Sequence, residues 1–202
     1  MSDKSAHHHG NLRQALLDRA MEAARQGTIE ELSLRQVSRE LGVSAGAAYR
    51  HFDSKESLLR EVAALGFDKM AAAFEAAMPF DTTPRDSAEA VLRFARLGQA
   101  YVVFARENYG LWRLMFGPTG VPMAETTHRG ANTYLWLQKT IQELYDTDLL
   151  RREPNHDDEM LLWSMVHGMA DLSVSPTLIH PMDEAMMFRL CSRVLRGFLA
   201  AA

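Results

Sequence analysis

Apolar residues recur at helical spacing along almost the whole chain, and this property most narrows the folds open to it. In the first segment Leu12, Ala15, Leu16, Ala20 and Ala23 share one face of a helix expected over about 10–26. Gly27 suits the left-handed position that ends a helix. No hairpin dipeptide lies between alternating apolar residues, so strands are not expected. The remaining pattern predicts short helices from Ser33 to Glu40 and from Ser44 to about His51. Longer ones follow from Asp53-Ser54 to Ala77 and near 84–107, 108–116, 122–146, 155–174 and 182–201. Pro79, Pro84, Pro118, Pro154, Pro176 and Pro181 punctuate them. The fold class is all-α: an N-terminal three-helix head and a C-terminal helical bundle. The expected domains are 1–56 and 57–202, with the fourth helix belonging to both.

Composition excludes several alternatives. Apolar residues make up 47 % of the 202, enough for a hydrophobic core. Every apolar run is broken before the roughly 18 residues of a membrane span, and the polar N-terminus does not read as a signal peptide. Cys191 is the single cysteine, so no intrachain disulfide can form; a cytoplasmic protein is expected. The net charge of −4 does not announce a nucleic-acid binder, but it is unevenly spread. Residues 1–66 carry nine Lys/Arg and nine Asp/Glu, whereas 67–202 carry thirteen and seventeen. A local basic face in the first third remains compatible with phosphate contact. No nucleophile at a recognisable spacing, phosphate loop or cysteine pair is present, so neither an enzyme nor a cofactor is expected.

Residues 34–53 carry the strongest signal. Two short helices that cross steeply need a small residue where they touch, and Ser38 supplies it. They need a turn residue tolerant of positive φ, and Gly42 supplies that. Leu34, Val37, Val43 and Ala48 fall where the crossing buries apolar side chains. The alternative is an unrelated helical hairpin.

Here the residues resemble a known family. Gly42-Val43-Ser44, then Tyr49-Arg50-His51-Phe52, then Ser54-Lys55-Glu56-Ser57-Leu58-Leu59 are similar to the signature of TetR (tetracycline-repressor) regulators. Leu34-Arg35-Gln36-Val37-Ser38 and His8-His9-Gly10-Asn11-Leu12-Arg13 resemble the same family. Ser38 departs from a more usual alanine, and Ala47 stands where a hydroxyl is common, which removes one possible DNA contact.

The resemblance implies a helix-turn-helix whose recognition helix, Ser44 to His51, enters the major groove of double-stranded operator DNA. Ala45, Gly46 and Ala47 would let its backbone approach closely. Tyr49 and His51 resemble the family's phosphate-contacting aromatic positions. Lys55 and Ser33, each at a helix start, would add grips on phosphate. Arg35 and Arg50 are candidates for phosphate or base contact, with a solvated surface role as the alternative. Phe52 reads as core. His7-His8-His9 admits a tag, a metal site or an N-terminal arm near DNA, and the arm is favoured; no metal site is expected.

The body resembles a subgroup named for a Trp-His-Gly signature, through Tyr101 to Gly117 and through Trp163-Ser164-Met165-Val166-His167-Gly168. Phe94, Tyr101, Trp112, Met115, Phe116, Trp136 and His167 are the candidates for contact with a small apolar or amphipathic effector; the alternative for each is plain packing. Trp163, Met187, Leu190, Val194 and Phe198 are the candidates for a homodimer interface built from the last two helices. The expected function is a ligand-responsive regulator, a repressor more than an activator, that binds palindromic DNA as a dimer. The alternatives are an architectural DNA-binding protein without effector and a helical small-molecule carrier with a vestigial head.

Overall fold

Side-chain caps set where most of the early helices begin. In the computed structural model, which describes residues 12–117, 129–175 and 182–201 (the backbone alone at 129–132 and 198–201), Ser33 Oγ accepts from Gln36 N at 3.2 Å and Ser44 Oγ from Ala47 N at 3.2 Å. Ser54 and Ser57 exchange backbone-to-hydroxyl bonds of 3.1 and 3.2 Å, a reciprocal cap. The described helices are α1 Leu12–Arg25, α2 Leu34–Glu40, α3 Ala45–Tyr49, α4 Lys55–Ala77, α5 Ser87–Glu107, α6 Tyr109–Phe116, α7 Arg129–Asp146, α8 His156–Ser173 and α9 Glu184–Ala201. No strand occurs among the described residues, and the fold is all-α as the periodicity requires. No described helix is long and apolar enough to cross a membrane. His7-His8-His9 lies outside the described residues.

The chain separates into two units. The first takes the described residues up to Phe67 together with α6 from Asn108, and the second takes Asp68–Glu107 and the described residues from 129 onward. In the first, α1 packs on α2, α3 and α6 through a face that buries Leu16, Leu17, Ala20 and Ala24. Full burial of one such leucine contributes about 1.5–3 kcal/mol. α6 lies very close to α1: a Cβ on Gly110 would sit 1.9 Å from the Ala24 carbonyl oxygen, so only glycine fits. Met115 fills the space over Gly66, and Phe67 meets Phe116 edge-on at 5.4 Å.

In the second unit α5 is the central helix, flanked by α7, α8 and α9. Ala90, Phe94, Ile141, Leu144, Leu150, Leu162 and Leu195 form its core cluster. Gly98 admits the Cys191 sulfur, which would lie 2.7 Å from an added Cβ. A polar array is buried among these helices. Arg93 on α5 and Glu143 on α7 form an ion pair with side chains only 7 % and 5 % exposed. The same guanidinium donates to Thr82 Oγ1 at 2.8 Å and Thr82 O at 2.9 Å. Close by in the chain, Trp136 Nε1 donates to Met78 O at 3.2 Å, and the Trp136 and Phe80 rings meet at 4.9 Å. The end of α4 and the segment after it are thereby tied to α5 and α7 by both polar and aromatic contacts.

Candidate nucleic-acid interface and ligand-sensing residues

α2 and α3 cross through a turn whose geometry follows from three residues. Ser38 is 1 % exposed and returns its hydroxyl to Leu34 O at 2.6 Å, so its polar group is satisfied inside the crossing. Gly42 has φ +69°, a conformation that costs other L-residues free energy. Val43 N then donates to Ser38 O at 2.9 Å, locking the turn. Phe52 is 3 % exposed and belongs to the core, with the Arg13 guanidinium 5.2 Å above its ring.

The crossing sets an outward face. Gly46, Tyr49, Arg50 and His51 are exposed, Ala45 is half-buried, and Ser44 is exposed beyond its role as the α3 cap. Tyr49 keeps 42 % of its surface in solvent. Ala47 and Ala48 face inward, at 6 % and 0 % exposure. The methyl of Ala47 therefore packs against the head, while its backbone N–H is taken by Ser44. Arg35 is exposed in the first turn of α2, and Ser33 caps that helix. Lys55 is partly covered, and its ammonium donates to Glu30 O at 2.5 Å. That bond holds the Lys55 stem beside the segment before α2, so meeting a phosphate means exchanging or sharing a carbonyl partner.

The seven sensor candidates fall into two groups, one in each unit. Trp112, Met115 and Phe116 belong to the first unit, where Trp112 and Phe116 lie 5.7 Å apart. Phe94, Tyr101, Trp136 and His167 belong to the second. There Tyr101 Oη and His167 Nδ1 are 2.7 Å apart. Phe74 stacks near Tyr101 at 6.3 Å and meets Trp136 at 6.1 Å, so it links those two candidates. Trp163 stands edge-on to His167 at 5.9 Å. Burial depresses the His167 pKa, and the nearby Asp171 carboxylate opposes this only in part. The imidazole is thus neutral at neutral pH, able to donate at one nitrogen and accept at the other. Phe94 belongs to the aliphatic core cluster instead. Phe74, on α4, was missed in the sequence, where every sensor candidate was sought on the helices after Pro84.

Of the interface candidates, Met187 is fully buried within its own unit. Leu190 and Val194 are half-buried, and Val194 packs on the core cluster. Trp163 is half-buried, and its ring meets Tyr134 at 6.2 Å. The Phe198 side chain lies outside the described residues. The large apolar side chains exposed on these two helices are Met160, Leu161 and Leu172 on α8 and Met186 on α9.

Comparison with known proteins agrees with the geometry. The family model described as bacterial regulatory proteins, tetR family, matches residues 16–62. A second, described as tetracyclin repressor-like, C-terminal domain, matches residues 94–195. No curated protein matches the chain. A solved Rhodococcus sp. RHA1 protein of unknown function is 28 % identical, with a TM-score of 0.77 over 96 % of this chain and 98 % of that one. PfmR, a TetR family transcriptional regulator from Thermus thermophilus, shares the fold at 22 % identity, with a TM-score of 0.64 over 90 % of this chain and 97 % of its own. A tetR-family bacterial regulatory protein from Rhodococcus RHA1 is similar at 21 % identity and a TM-score of 0.67, covering 91 % and 95 % of the two chains. With a helix-turn-helix in its first unit and two family models that together cover most of its length, the chain belongs to the TetR family of DNA-binding transcription regulators.

Proposed function

We propose that the protein is a ligand-responsive repressor that binds a palindromic operator as a homodimer and is released by a small apolar or amphipathic effector. The observation that carries the DNA half is the outward face around Gly46. It combines a centre of small residues, Ala45 and Gly46, with exposed Tyr49, Arg50 and His51, and with Arg35 on the neighbouring helix. That combination suits close approach in the major groove, phosphate contact by the aromatic positions and base or phosphate contact by the arginines. Two recognition helices would lie about 34–36 Å apart, one helical turn of DNA.

The effector half rests on Tyr101 and His167, a neutral polar pair set among aromatic rings. An apolar ligand with one hydrogen-bonding group fits that chemistry. The dimer half rests on the exposed Leu161 and Leu172 of α8 and Met186 of α9. Effector binding would act through α4, whose C-terminal end is gripped by Trp136 and followed by the segment that Arg93 holds. A ligand changes operator affinity only as far as it prefers one setting of that end over the other.

Selection of binding sites from random DNA tests the first half. The expected result is an enriched palindrome whose binding weakens steeply with salt. Lys55→Ala should then lower affinity across all sequences and reduce the salt slope by about one phosphate contact. Absence of any enriched site, with only weak binding, would count against operator recognition and in favour of a small-molecule carrier.

A further inference from the structure

We propose that Glu159 and the rings of Tyr134 and Trp163 bind an organic ammonium group, so that the effector of this protein is a cation with an apolar body. This rests on the ligand-responsive reading above and adds the charge of the ligand to it. Glu159 lies in the first turn of α8, and its side chain is only 16 % exposed. Two residues of α7 hold it: Tyr134 Oη donates to Oε2 at 2.6 Å, and Gln138 Nε2 donates to Oε1 at 3.0 Å. His156 Nδ1, from the same turn of α8, stands 3.3 Å from Oε2.

This carboxylate has donors but no strong countercharge. Burial works to raise the Glu159 pKa, yet the bonds from Tyr134, Gln138 and His156 together hold it below its ordinary value, so the group is ionised at neutral pH. Tyr134 keeps its proton, because burial and the bond to Glu159 push its pKa up to about 12. Among the described residues Glu159 pairs with no lysine or arginine, and its basic neighbour His156 has a side chain 74 % exposed. The buried carboxylates of the same unit differ: Glu143 holds Arg93, and Asp158 holds Arg152. A charge drawn out of water is costly unless an opposite charge meets it. A carboxylate accepts about four donors, so Glu159 has capacity for one beyond these three. A cationic ligand answers both conditions.

The surrounding rings give the cation its class. Trp163, one turn further along α8, meets the Tyr134 ring edge-on at 6.2 Å and the His167 ring edge-on at 5.9 Å. Aromatic rings attract a cation through their faces and also pack on apolar groups, a combination that suits an alkylated ammonium. Beyond Trp163 comes the neutral pair, with Tyr101 Oη 2.7 Å from His167 Nδ1. Glu159 and His167 are eight positions apart, about 12 Å along α8. The ligand thus has its charge at Glu159 and its apolar body beside Trp163, directed toward the Tyr101–His167 pair.

Three probes of similar size test this on the full chain by titration calorimetry: benzyltrimethylammonium, its uncharged carbon counterpart neopentylbenzene, and benzoate. The wild type should bind the cation at least tenfold more tightly than the neutral compound and should not bind benzoate. Glu159→Gln keeps the size of the side chain and removes its charge. It should weaken the cation at least tenfold and leave the neutral compound unchanged. Tyr134→Phe keeps both the ring and the carboxylate, and should bind the cation at least as tightly as the wild type. Equal affinity for cation and neutral compound, no binding of the cation, or unchanged cation binding by Glu159→Gln would overturn the proposal. Should Glu159→Gln lose helicity by circular dichroism, the wild-type series and Tyr134→Phe decide, and weaker cation binding by Tyr134→Phe would overturn it. Operator affinity is measured separately, with and without the cation. A cation that binds through Glu159 and leaves operator affinity unchanged would remove the ligand-responsive reading, which the calorimetry separates from failure of the cation site.

Discussion

Arg93 and Glu143, fifty positions apart, meet fork to fork: Nε donates to Oε2 and Nη2 to Oε1, each at 2.8 Å, with both side chains buried. Two further guanidinium donors go to Thr82, and Lys139 stands 3.5 Å from the same carboxylate. Bidentate geometry with nearly every polar atom satisfied is the condition under which a buried pair holds. Removing one partner leaves a buried charge unmatched. Glu143→Leu should cost about 3–5 kcal/mol in urea unfolding, whereas Arg93→Met combined with Glu143→Leu should cost clearly less than that single change. Equal losses for the single and double variants would show that the pair is not the source of the stability.

Two glycines, both within helices, should respond oppositely. An added methyl at Gly110 runs into the Ala24 carbonyl, while one at Gly46 meets open space. Gly110→Ala should therefore destabilise the first unit by about 1–3 kcal/mol, or more if α6 cannot shift. Gly46→Ala should be neutral or stabilising by up to about 1 kcal/mol, since alanine favours helix. Thermal melts of the two variants side by side decide the matter.

His167 gives the protein a pH dependence of known sign. Its folded pKa is depressed by burial, with Asp171 opposing, so the unfolded chain takes up its proton first as pH falls. The associated stability is fully present above the unfolded value of about 6.5 and is lost as pH drops toward the lower folded value. His167→Gln should flatten unfolding free energy against pH in that window. An unchanged slope would place the titration elsewhere.

A second acid-sensitive point lies at the start of α8. Asp158 receives two bonds from Arg152, at 2.6 and 2.8 Å, and one from Asn155 N, which completes a reciprocal cap. Arg152 holds the Asp158 carboxyl below its ordinary value, and the Asn155 N–H adds to this against the effect of burial. This stabilisation is complete above pH ~4 and disappears as pH falls through the lower folded value. Asp158→Ala should cost about 0.5–2 kcal/mol at neutral pH and progressively less in acid, as read by chemical denaturation at two pH values.

The helices were legible because their signals are local. The caps Ser33, Ser44 and Ser54 and the periodic faces of α1, α5 and α8 are written in neighbouring residues. α3 ends at Tyr49, two residues before the expected His51, because a turn at Arg50 and His51 carries Phe52 into the core. The contacts of α6 with α1 were not legible. They depend on a glycine meeting a carbonyl more than eighty positions away, and no periodicity encodes that. Arg93 was equally silent, since a lone arginine on an amphipathic helix reads as solvated until its partner is known. Tyr101 and His167 were each suspected from their types, but only the fold makes them a pair.

Cys191, the chain's single thiol, is fully enclosed beside Gly98, and burial pushes its pKa up to about 11. Such a sulfur reacts as the thiolate, and only when the α5–α9 contact parts. Its alkylation rate is therefore a clock for that opening, readable by mass without any engineered label. A ligand that tightens the second unit should slow the clock before any change at DNA is measured, so effectors could be found from the protein alone.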